Sequence, residues 1–103
     1  MTKSGSLPTA MNLNQSVIIC PEVIYQSVGD EIILLHLATE QYVGLNEVGA
    51  RVWQLLQEEQ ELPKLFDALL GEYDVDSDQL ASDLSELLGR MLEEQLITLK
   101  PLE

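Results

Sequence analysis

Two hydrophobic periods divide the chain. From Val17 to Leu45 the apolar residues come in short runs rich in Val, Ile, Leu and Tyr, broken at Pro21, at Val28-Gly29-Asp30 and at Ala38-Thr39-Glu40. β-Branched and aromatic runs separated by turn-forming residues predict strands joined by tight connections. The expected arrangement is a three-stranded antiparallel meander over Val23 to Ser27, Glu31 to Leu37 and Gln41 to Leu45. In the middle strand Ile32 and Leu34 point to one face while Ile33, Leu35 and Leu37 point to the other, so both faces need cover. Helices from the second half can cover one. The Val17-Ile18-Ile19-Cys20 run, or a second subunit in a homodimer, could cover the other.

After Leu45 the period lengthens to that of a helix. Asn46 is suited to cap a first helix, in which Val48, Val52, Leu55 and Leu56 form a core stripe with Trp53 on its flank and Gly49 allowing a close backbone approach. A second helix is expected from about Pro63, with Leu62, Leu65, Phe66, Leu69 and Leu70 in register and Gly71 as its stop. The third opens at Asp76, three residues before Gln79 in a capping-box pattern, and carries Leu80, Leu84, Leu87, Leu88 and Met91 as its stripe. Leu96 to Leu99 then predicts a terminal extended segment. Residues 1 to 15 are small and polar without periodicity and read as a flexible tail, leaving 16–103 as the domain.

Composition narrows what such a domain can do. At 103 residues and 11.5 kDa the chain holds one core. Its 18 Asp and Glu against 5 Lys and Arg give a formal charge of -13, which argues against nucleic acid and against an anionic membrane. No apolar run nears the ~20 residues of a spanning helix, and no secretory signal pattern is visible, so a cytoplasmic location is expected. The single Cys20 cannot form an internal disulfide.

Catalytic signatures are missing from the pattern. The single histidine, His36, falls in a strand and reads as a satisfied buried residue, not a general base. One Cys and one His cannot make a structural zinc site, and no loop has calcium-site spacing, so no metal or other cofactor is expected. Asp76-Ser77 resembles a carrier-protein serine motif, but Asp78 follows where that motif has an apolar residue. The chain reads as a binding protein, not an enzyme.

Three strands followed by three helices, the last two joined by Glu72-Tyr73-Asp74-Val75, predict an α+β, winged helix-turn-helix-like domain. A DNA reader would place basic and amide side chains on the third helix. Here that helix carries Asp76, Asp78, Asp83, Glu86, Glu93 and Glu94, with Arg90 as its one cation. Each carboxylate would repel phosphate, so a transcription regulator is the weakest of the functions considered.

The segment YVGLNEVGARVWQLL from Tyr42 to Leu56, with Glu72-Tyr73-Asp74-Val75 and Asp83-Leu84, resembles the PqqD-like family, over roughly residues 17 to 99. Within that family it is most similar to the standalone leader-binding proteins of lasso-peptide pathways. The resemblance implies a recognition element for ribosomally made, modified peptides (RiPPs), which binds the leader of a precursor and presents it to a leader protease or other modifying enzyme. It further implies that the leader lies antiparallel to the third strand, in the groove between that strand and the third helix. Carried onto this chain, the strand side is Gln41, Tyr42, Val43, Gly44 and Leu45, and the helix side falls among Asp76, Leu80, Asp83, Leu84, Leu87 and Arg90.

Elementary physics suits that placement. The third strand of a meander is an edge whose free N–H and C=O groups can template another strand, while a neighbouring helix supplies pockets for alternate side chains. The other function considered is that of a peptide chaperone for a radical SAM enzyme in a pyrroloquinoline-quinone-like pathway.

Overall fold

A computed structural model describes residues 14–102. In chain order these form β1 (Gln15–Ile19), β2 (Val23–Val28), β3 (Glu31–His36), β4 (Gln41–Leu45), α1 (Glu47–Leu56), α2 (Leu62–Glu72), α3 (Ser77–Glu93) and β5 (Ile97–Pro101). The tail expected at the N-terminus lies, for residues 1–13, outside the described residues. The expected meander is present: β2, β3 and β4 form an antiparallel sheet in that order, with Tyr25 opposite Leu34 and Leu34 opposite Val43. Three helices follow it, making the α+β fold that the pattern predicts.

Local hydrogen bonds set the strand ends. β3 stops at His36, one residue short of the expectation, although the Leu37 N–H still donates to the Glu22 carbonyl at 2.8 Å in register with the β2–β3 ladder. The Glu40 N–H then turns back to the His36 carbonyl at 2.7 Å, with Glu40 in the left-handed region at φ 60°. His36 is buried and satisfied: the backbone N–H groups of Ala38 and Thr39 donate to its Nδ1 at 3.2 and 3.4 Å. A nitrogen accepting such bonds carries no proton, which leaves Nε2 as the N–H side, 3.7 Å from Cys20 Sγ.

The Val17 to Cys20 run does not cover the second face of the sheet. β1 pairs instead with β5 in a separate two-stranded sheet, Ile19 opposite Ile97, and the Val17 N–H donates to the Gln60 carbonyl at 2.8 Å. Those bonds hold β1 beside the start of α2, so Val17 enters the core from the helical side. Ile24, Val28, Ile33 and Tyr42 on the far face of the three-stranded sheet stay exposed.

The core lies between the other face and the helices. Ile32, Leu34 and Leu45 meet Trp53, Leu56 and Leu84 in one cluster. Trp53 is enclosed, not flanking, and Tyr25 packs edge-on against it with ring centroids 5.9 Å apart.

Helix ends follow their caps closely. The Gly49 N–H donates to Asn46 Oδ1 at 2.9 Å at the start of α1, and the Gln79 N–H donates to Asp76 Oδ2 at 3.3 Å at the start of α3. The capping box is only half formed, since the Gln79 side chain donates onward to Asp83 Oδ1 at 2.9 Å. Gly71 does not stop α2. The helix runs through it to Glu72, whose carboxylate is held by Arg51 of α1 at 2.8 Å through Nε and 2.6 Å through Nη2. That bond holds the Glu72 carboxyl below its usual range and raises the Arg51 guanidinium, against a smaller opposing effect of burial.

Candidate functional site

A groove of about 410 Å³ opens between the end of β4, the first turns of α1 and the exposed flank of α3. β4 reaches this position because it is the last strand of the sheet and pairs on one side only. Its other edge is open to a further strand. β2 is the opposite edge, yet none of the residues lining the groove comes from β2 or β3. Of the two edges of this sheet, β4 is therefore the one that combines free backbone with this walled cleft.

The groove has an apolar floor and a charged rim. Leu80 (6% exposed) and Leu84 (2%) belong to the core cluster and show the groove one edge of their side chains. Leu69 and Val52 extend that floor from α2 and α1. Leu87 is half-buried and Val48 is 44% exposed, so these two can still lose surface to a ligand. Asp83, Glu86 and Arg90 line the α3 side. Among the described residues the ion pairs are Arg51–Glu72 and Lys64–Glu61, so the Arg90 guanidinium has no carboxylate within 4.0 Å. Such a cleft can hold an extended peptide by its backbone, take one or two apolar side chains, and offer charges of both signs at its mouth.

The residues expected from the sequence divide accordingly. Gly44, Leu45, Leu80, Asp83, Leu84, Leu87 and Arg90 line one groove. Gln41, Tyr42 and Val43 lie further along β4, outside the lining. Val43 points into the core opposite Leu34, and Tyr42, 72% exposed, stands on the far face opposite Leu35. Asp76 is outside the lining as well and caps α3.

Sequence reasoning missed Asn46, Val48, Gly49, Val52, Leu69 and Glu86. The helical period puts Val48 in the core stripe of α1. It sits in the helix's first turn, beside the end of β4, where the sheet no longer covers it. Gly49 carried a usable signal. A Cβ there would lie 3.3 Å from Leu45 Cβ, tighter than most such contacts, so the close approach of α1 to β4 at this end of the groove favours a residue without one.

The family model for coenzyme PQQ synthesis protein D (PqqD) matches residues 31–97. This chain belongs to the PqqD family. Among solved structures it is similar to TbiB1, determined in complex with the TbiA(β) leader peptide, at 36% identity over 78% of this chain and 93% of that one, with a TM-score of 0.73. It is also similar to a lasso peptide synthetase B1 complexed with its leader peptide, with 20% identity, 81% and 98% of the two chains covered and a TM-score of 0.71. At that lower identity the likeness speaks for the fold. No curated protein matches the sequence. The matched span of this PqqD-family member runs from β3 to the start of β5 and includes every element that lines the groove.

Proposed function

We propose that this chain is a non-catalytic cytoplasmic adaptor that binds the leader of a ribosomally made precursor peptide and delivers it to a leader protease or another modifying enzyme, in lasso-peptide biosynthesis. The observation that carries the reading is the coincidence of an open β4 edge with an apolar groove walled by α3. It gains support from the 36% identity to a protein solved with a leader peptide bound. The leader adds to β4 as a fourth strand, running along Gln41 to Leu45. One set of its alternate side chains enters the groove over Leu80, Leu84 and Leu87, and Asp83 and Arg90 meet polar groups at the rim. The ladder supplies affinity at ~0.5–1.5 kcal/mol net per hydrogen bond. The apolar anchors, at ~1.5–3 kcal/mol each when fully buried, select the sequence.

The test is a scan of the leader by backbone N-methylation, read by fluorescence polarisation. An added strand has every second amide facing β4, so binding should weaken at alternate positions and hold at those between. Uniform tolerance along the leader would sink strand addition. The family match to PqqD keeps one second reading open, a chaperone serving a radical SAM enzyme. Offering both classes of precursor separates the two, since each reading expects tight binding of one leader only.

A further inference from the structure

Apart from Gly44, which lines the groove, the far face of the three-stranded sheet has no part in it, and the fold leaves a row of apolar side chains there uncovered. Ile24, Leu35 and Tyr42 stand in one cross-strand row, and Ile33 and Val28 continue the patch in the next two rows. Ile24 is 51% exposed, Ile33 42% and Val28 52%. Gly44, the β4 neighbour of Ile33, contributes no side chain, and a Cβ built there meets no atom within 4 Å, so nothing steric forbids a residue that would shield Ile33. β1, which could have shielded this face, is committed to β5. A contiguous exposed apolar patch of this kind marks an interaction surface.

The charges around it identify the partner's chemistry. Residues 14–50 contain no Lys or Arg, while Glu22, Asp30, Glu31 and Glu40 lie before β2, in the β2–β3 turn, at the start of β3 and in the β3–β4 hairpin. Glu31 shares the face of Ile33 and stands opposite Val28. A second copy of this chain would bring the same acidic rim and a net charge of -13 against it, so self-association is disfavoured. We infer that this face docks a protein partner whose contact patch is apolar at its centre and carries Lys or Arg at its rim. Resting on the adaptor reading above, that partner is the enzyme to which the leader is handed, and it approaches on the face away from the core, leaving the groove open.

The test uses the full chain, a leader peptide that it binds, and the purified leader protease and modifying enzyme that act on that precursor. The variants are the pair Ile24→Thr with Ile33→Thr, which keeps β-branched residues in both strands, and separately Glu31→Lys. Biolayer interferometry should show the Thr pair weakening the chain's binding to one of the enzymes by about tenfold or more, as removal of a central apolar anchor does. Glu31→Lys should weaken it too, and added salt should weaken the wild-type complex. Leader affinity and the melting curve should stay unchanged. The inference is overturned if the wild-type chain binds neither enzyme, or if both variants bind as the wild type does. It also falls if leader affinity drops with the Thr pair while the fold is kept, or if light scattering shows a wild-type dimer that the pair dissociates. Loss of the adaptor reading looks different: the wild-type chain then fails to bind the leader, whatever the enzymes do.

Discussion

Ile33 of β3 faces Gly44 of β4 across the ladder, and the space above that glycine is empty. Gly44 has an ordinary backbone conformation, since the left-handed glycine among the described residues is Gly29. Neither φ nor crowding therefore demands glycine at this position. A side chain there would project to the far face beside Ile33. Gly44→Val should accordingly raise stability by about 0.5–1 kcal/mol, through the lost backbone entropy of glycine and contact with Ile33. Urea denaturation reads this directly, and a clear loss of stability would contradict the placement of β4.

Leu84 is a poor probe of the groove, although it lines it. With 2% exposure it belongs to the core, and Leu84→Ala should cost about 2–5 kcal/mol. Leu87, half-buried on the same wall, separates binding from folding. Leu87→Asp is expected to keep a cooperative melt and to weaken leader binding by about tenfold or more, measured by fluorescence polarisation. Full affinity in a folded Leu87→Asp protein would remove α3 from the site.

Asp76 holds the start of α3 through the Gln79 N–H and stands apart from the groove lining. Asp76→Ala should cost about 0.5–2 kcal/mol, and Asp76→Asn should restore most of it, because an amide oxygen caps as well as a carboxylate. Thermal melts of the two variants compare these outcomes.

The Arg51–Glu72 pair ties α1 to α2 and should make stability depend on pH in a defined direction. The folded-state value of Glu72 is lowered from 4.5, so its contribution is present in full above about that pH and fades as the pH falls through the lower folded value. Both side chains are more than a third open to solvent or close to it, which limits the pair to about 0.2–1 kcal/mol. The stability gap between the wild type and Glu72→Gln should be small at neutral pH, narrow further in acid, and shrink in high salt. A gap that widens on acidification would be inconsistent with the pairing.

Much of this protein is legible from residue order, because the relevant forces act within a few residues. The change of period at Leu45 separates sheet from helices, and Asn46 and Asp76 announce the helix starts through bonds to N–H groups three positions on. The acidic third helix argues against a nucleic-acid partner without any coordinates, whereas a peptide partner is implied only by the family resemblance that the YVGLN segment carries. Tertiary structure alone decided three matters. β1 took β5 as its partner, which left Ile24, Ile33 and Tyr42 bare; pairing between segments some 80 residues apart depends on global closure that no local pattern encodes. Val48 moved from core to groove because the sheet ends before it. Leu80 and Leu84 proved to be core and groove floor at once, since whether a leucine at helical spacing touches a ligand depends on how far the neighbouring strand stands from its helix.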